Sequence, residues 1–138
     1  MLASGEADWA WSVAEKAGVP IMVGHHRRHN PIMRKAAEIV RSGELGTLVA
    51  VNAVWMSRKP EDYFNITWRR EAGGGPVLIN AIHDIDCLRM LCGDVVSVRA
   101  ATSNATRGFT VEDTAAAVLT FANGPRLGIN QWGQATLW

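Results

Sequence analysis

Three consecutive glycines and a proline, Gly73-Gly74-Gly75-Pro76, break the chain just past its middle, and the seventeen residues that follow, Val77 to Gly93 (VLINAIHDIDCLRMLCG), read as one helix. Glycines at that density end whatever precedes them, and a proline at the first helical position suits its fixed φ and missing N–H. Gly93 falls where a left-handed residue closes a helix. Val77, Leu78, Ala81, Ile82, Ile85 and Leu88 share one broad arc of such a helix; Asn80, His83, Asp84 and Cys87 share a narrower stripe opposite. A helix patterned this way is buried around most of its girth, with one edge facing something polar. That edge, led by His83, is the candidate site.

The remaining chain alternates helix and strand signals. Residues 4–17 read as a helix with Ser4 as N-cap and Gly18 at its end, followed by a short apolar run, 19–25, with the look of a buried strand. Together these are the closing pieces of a βαβ unit, as though the chain began partway through one. Asn30 and Pro31 open a second helix that ends at Gly43, with Ile32, Ala36, Ile39 and Val40 at helical spacing. Residues 47–57 are β-branched and apolar on both faces, a strand expected to be covered on both sides. Residues 58–72 form an irregular excursion, and 95–103 a further strand. Residues 113–132 read as a hairpin turning at Asn123-Gly124. In the hairpin's first strand Ala115, Ala117, Leu119 and Phe121 face one way; Thr114, Ala116, Val118 and Thr120 face the other. The second set is neither charged nor strongly polar, which marks that face of the sheet as a surface for self-association.

With 138 residues and 48% hydrophobic side chains the chain suits one core rather than disorder. Its net charge of +1 gives nothing to draw nucleic acid or anionic lipid, and its six tryptophans are scattered mostly at core spacings. No apolar run approaches the roughly 20 residues that span a bilayer, and the acidic N-terminus lacks the basic start of a secretion signal. Cys87 and Cys92 lie on faces of one helix about 140° apart and cannot bridge. A cytoplasmic protein with no nucleic-acid or membrane partner is the expectation.

Histidine exchanges protons near neutral pH, so His83 beside Asp84 and Asn80 is either a satisfied core residue or a proton-transfer group. The glycines before it favour the second reading, since they let a ligand approach and leave helix N–H groups for an anion. His25, His26 and His29 have partial metal-like spacing, but the only thiols are mid-helix, so no metal is expected. Arg27 and Arg28, and Arg69 and Arg70 after Trp68, are surface charge or the makings of a phosphate or carboxylate site. The chain carries no G-x-G-x-x-G, so nothing in it cradles a dinucleotide pyrophosphate in the usual way.

AEKAGVPIMVGHHRRHNP, then GELGTLVAV, then WRREAGGGPVLINAIHDIDCLRMLCG resembles, in that order, the Gfo/Idh/MocA family of NAD(P)-dependent dehydrogenases over about residues 10–131. The resemblance implies an α+β fold: an open, mainly antiparallel sheet with helices on one face, preceded by a remnant helix and strand of a Rossmann domain. It divides the chain into 1–24, the end of a dinucleotide-binding domain, and 25–138, a substrate-binding and oligomerising domain cut short at its C-terminus. It implies oxidation of a secondary alcohol on a sugar, cyclitol or related polyol, with NAD or NADP in the full-length parent and none bound to this chain, which would be inactive by itself. By the same resemblance His83 is the catalytic proton relay; Asn80, Asp84 and Arg27 contact substrate; Trp68 and Arg69 contact the cofactor. A homo-oligomer would form through the open sheet face. Ile79 stands where the family commonly has Asp, with Asn80 beside it, and that favours the alternative of a non-catalytic dimerising or sugar-binding module.

Overall fold

A computed structural model describes residues 4–122 and 126–133. Helix α1 (Ser4–Ala17) is followed by extended chain, a 3-10 turn (His26–His29), helix α2 (Pro31–Ser42) and strand β1 (Ala50–Ser57). Two further 3-10 turns (Glu61–Asn65, Thr67–Arg70) lead to a π-helical turn (Val77–Ala81) that runs into helix α3 (Ile82–Cys92). Strands β2 (Val95–Ser103), β3 (Thr114–Phe121) and β4 (Arg126–Gly133) complete an open four-stranded sheet in the order β1-β4-β3-β2. The β2–β3 and β3–β4 pairs are antiparallel and β1–β4 is parallel. The fold is therefore the expected mainly antiparallel α+β arrangement.

The local signals account for the helix ends. Asn30 Oδ1 accepts the Ile32 N–H at 2.9 Å with Pro31 next in line, and Gly43 closes α2 at φ 77°. Gly18, at φ 65°, ends α1, where the N–H groups of Gly18 and Val19 return to Glu15 and Ala14. In α2 the packed position is Ala37, and Ile32 is exposed, so the helix sits about one residue round from the expected stripe. The Ser4 side chain, the Asn123-Gly124 turn and the chain after Gly133 lie outside the described residues.

The core forms where α3 lies on the inner face of the sheet. Leu88 and Cys92 pack against Leu119 and Phe121, with Val51, Ala53 and Ala117 around them. Burying side chains of this size contributes about 2 kcal/mol each. Alternation along β3 is as read from the sequence: Ala115, Leu119 and Phe121 are buried, while Ala116 and Val118 are exposed. On β1 the expectation that both faces are covered fails. Val51, Ala53 and Trp55 are half-buried, but Val54 and Met56 are exposed, because no described element lies over the outer face.

The apolar run 19–25 also departs from its expected form. It is extended but hydrogen-bonds to no strand among the described residues, and Val19, Ile21, Met22 and Val23 are exposed. A buried parallel strand takes its hydrogen bonds and its cover from neighbours, and none of the four strands lies beside it. Trp9 and Trp11, on the α1 helix just before this run, are exposed as well.

Candidate functional site

The helix that carries His83 is not regular from its first residue. Val77–Ala81 makes one π-helical turn before α3 begins, a widening found often at functional sites. Its start is set by the glycines through close approach rather than through an open backbone. A Cβ on Gly74 would lie 2.2 Å from the Trp68 carbonyl oxygen, and one on Gly75 would lie 2.2 Å from the Glu112 carboxylate. Glu112 Oε1 in turn accepts the Val77 N–H at 3.0 Å. The expectation of helix N–H groups left for an anionic ligand is thereby corrected, because the protein's own carboxylate caps this end.

Three imidazoles converge one turn further on. The His26 ring lies 4.9 Å from that of His83 in an edge-on arrangement, and His25 lies 6.2 Å away. The 26–29 turn that delivers His26 is tied to α3 by two ion pairs. Arg27 donates to Asp84 Oδ1 at 2.5 Å, and Arg28 grips the Asp86 carboxylate with two donors, at 2.7 and 2.5 Å. His25 Nδ1 stands 3.2 Å from Asp86 but out of line for a hydrogen bond. His83 Nδ1 and Asp84 Oδ2 are buried atoms without hydrogen-bond partners, and such orphans mark where a small polar ligand would be welcome.

These charges set the protonation of His83. Burial lowers its pKa, the Arg27 guanidinium and the two neighbouring histidines lower it further, and Asp84 opposes them. The ring is therefore neutral at pH 7 and able to accept a proton. Asp86 is held below the usual carboxylate range by its hydrogen bond from Arg28, against the opposing effect of burial.

His83 opens onto a cleft of about 370 Å³ whose walls include Val23, His25, Trp68, Ile79 and Ile82. Of the residues expected at a site, His83 and Trp68 meet there. Arg27 and Asp84 are brought together but spend their charges on each other. Arg69 turns away: its guanidinium lies 3.9 Å over the Tyr63 ring and donates to the Tyr63 carbonyl at 2.8 Å, bracing the excursion instead of lining the cleft. Asn80 lines a neighbouring small hollow with Lys59 and Tyr63. Cys87, grouped with the polar stripe, is buried, and burial pushes its thiol pKa up. Sequence reasoning missed Arg28, Asp86 and His26 as organisers of the site. Two adjacent arginines facing an Asp-x-Asp on another element is a pairing pattern that could have flagged the first two. The larger apolar groove of about 690 Å³ between α3 and strands β2 and β3 holds only Arg89 and Asp94 as charged groups, and they pair with each other at 2.6 Å. Among the described residues no cluster of three or more His, Cys, Asp or Glu could hold a metal, and no helix is long and apolar enough to cross a membrane.

Residues 33–131, which include all of this geometry except the 23–29 segment, match the model of the GFO/IDH/MocA C-terminal domain. The chain belongs to the GFO/IDH/MocA family. Within that family it is 35% identical over 135 residues to the uncharacterized oxidoreductase YrbE of Bacillus subtilis, covering 94% of this chain and 38% of the relative. It is 30% identical over 122 residues to a D-apiose dehydrogenase of Paraburkholderia graminis, covering 82% of this chain and 30% of that one. Among solved structures, the WlbA dehydrogenase of Bordetella pertussis, in complex with NADH and UDP-GlcNAcA, superposes with a TM-score of 0.82 at 27% identity, over 91% of this chain and 40% of that one. The chain thus spans about two fifths or less of the length of these GFO/IDH/MocA relatives.

Proposed function

We propose that this chain is the substrate-binding and oligomerising part of an NAD(P)-dependent dehydrogenase that oxidises a secondary alcohol on a sugar, cyclitol or related polyol. Residues 1–24 belong to its dinucleotide-binding domain and 25–138 to the substrate domain. The observation that carries this reading is the unpartnered Nδ1 of His83 beside an open cleft. A histidine serving only the core would have its buried nitrogens hydrogen-bonded.

The residues present fit one end of the cofactor. The exposed Trp68 indole and the aliphatic wall of Ile79 and Ile82 offer a flat apolar seat for a nicotinamide ring. No G-x-G-x-x-G loop accompanies them in this chain for the phosphates. NAD(P)+, when bound, accepts the hydride from the alcohol carbon. The chain's own task is to take the hydroxyl proton, for which neutral His83 is suited. Burial first, and then Arg27 (itself held by Asp84), His26 and His25, keep that ring neutral.

Histidine side-chain NMR on the intact chain tests the reading. Neutral polyols at tens of millimolar are expected to shift the His83 ring resonances, and unmoved resonances would count against it. NADH is expected not to bind at micromolar concentration, because its phosphates lack a cradle. The second reading, a non-catalytic sugar-binding or dimerising module, is favoured by one residue: Ile79 supplies no carboxylate to pair with His83.

A further inference from the structure

We infer that Lys59 anchors an anionic group, a carboxylate or phosphate, on the sugar that reaches His83; this rests on the alcohol-oxidising reading and names a substrate class for it. Lys59 lies two residues past the end of β1 and precedes Pro60, whose fixed φ of −65° turns the chain into the Glu61–Asn65 turn. Its ammonium nitrogen lies 5.9 Å from the centre of the Trp55 ring and 5.1 Å from that of Tyr63. Aromatic faces hold a cation in place without neutralising it.

No carboxylate neutralises it either. Among the described residues Lys59 makes no ion pair, and the adjacent Glu61 is committed to Arg107 at 3.0 Å. A second cation sits on the same tyrosine, since the Arg69 guanidinium lies 3.9 Å from the Tyr63 ring centre and its Nε is buried without a partner. Two like charges sharing one aromatic ring repel each other unless an anion joins them. Such an arrangement in a half-buried pocket favours a negatively charged ligand over a neutral one.

The surroundings fit an anion's needs. Lys59, Trp55, Tyr63, Ser57, Asn80 and Ile79 line a hollow of about 20 Å³, and Ile79 also lines the 370 Å³ cleft of His83. The smaller space admits about one oxygen atom of an anionic group and the larger one a sugar ring, so a ligand lying across Ile79 would set one anionic oxygen at Lys59 and its alcohol at His83. The Ser57 hydroxyl and Asn80 amide make no hydrogen bonds within the described residues and can donate to the same group. An aliphatic side chain at 79 places no negative charge on the shared wall.

The test is NMR titration of the intact chain with D-glucuronate, glucose 6-phosphate and neutral methyl glucoside, read at the Trp55 indole N–H and the His83 ring. The wild type is compared with Lys59→Gln and Lys59→Arg. An anionic sugar is expected to bind about tenfold tighter than the neutral one and to move both reporters. That preference should fall to within about twofold in Lys59→Gln, persist in Lys59→Arg and shrink in high salt. The two anionic sugars, compared with each other, tell a carboxylate site from a phosphate site. Equal affinities, a preference that survives Lys59→Gln, or an anion that moves Trp55 but not His83 would overturn the inference. If the neutral sugar moves His83 as strongly as the charged ones, only the anchor fails; if no sugar moves His83, the alcohol-oxidising reading fails with it.

Discussion

Glu112 reaches back 35 positions to accept the backbone N–H of Val77, and its carboxylate fills the space that a side chain on Gly75 would need. The start of the site helix is thus a joint between the glycine run and the loop before β3. Both partners are required, the glycine for room and the glutamate for the bond.

Gly75→Ala should therefore destabilise the fold by about 1–3 kcal/mol, since its new Cβ must expel the carboxylate and orphan a partly buried N–H. Glu112→Ala should lose the bond without the clash and cost about 1 kcal/mol. Urea unfolding of the two variants checks the order, and an alanine at 75 as stable as the wild type would refute the joint.

Asp86 and Arg28 form the second joint. The lowered pKa of Asp86 means that the folded state prefers its charged form, so its contribution is complete above the ordinary carboxylate value and disappears as pH falls through the lowered one. Between pH 6 and pH 3 the wild type should lose more stability than Asp86→Asn, which starts about 2 kcal/mol lower because Asp86 is buried while Arg28 is partly exposed. Thermal melts across that range give the comparison.

His83 shifts stability in the same direction, at a higher pH. Its folded pKa is lowered, so the unfolded chain binds the proton more readily, and stability rises with pH between the lowered value and the ordinary one near 6.5. NMR titration should place its midpoint below 6.5, and Arg27→Gln should move it up by removing a nearby cation. An unchanged midpoint in that variant would show that burial acts without help from Arg27. On the proposed reading, steady-state rates of alcohol oxidation by an enzyme assembled around this chain should rise with pH through the same lowered midpoint.

Val54, Met56 and Val118 stand exposed on the outer face of the sheet while Leu119 and Phe121 fill the inner one. Lysine at Met56 and Val118 together should leave the melting temperature within a few degrees of the wild type and lower the mass measured by light scattering if the chain self-associates there. Leu88→Ala, on the inner side, should instead cost about 2–4 kcal/mol.

Much of the fold was legible from local pattern. The Asn30-Pro31 start and the glycine stops at 18 and 43 follow from capping chemistry that needs only neighbouring residues. The two faces of β3 follow from a period of two. The exposed run at 19–25 was not legible, because apolar β-branched residues state a preference for burial and say nothing of what is there to bury them. Cys87 and Ile32 were misplaced for a related reason: a helical wheel fixes which residues share a side, but the neighbours decide which side is covered.

What the sequence determined by itself is the helix carrying His83, the glycines before it, the caps and the alternation of the strands, all set by contacts within a few residues. Only the tertiary structure decided that Arg27 and Arg28 meet Asp84 and Asp86 across 57 and 58 positions, that His26 comes to rest against His83, and that Glu112 closes the helix end. Those choices depend on how segments far apart in the chain are folded together, and charge pairs and ring contacts at that separation have no local period by which to be read.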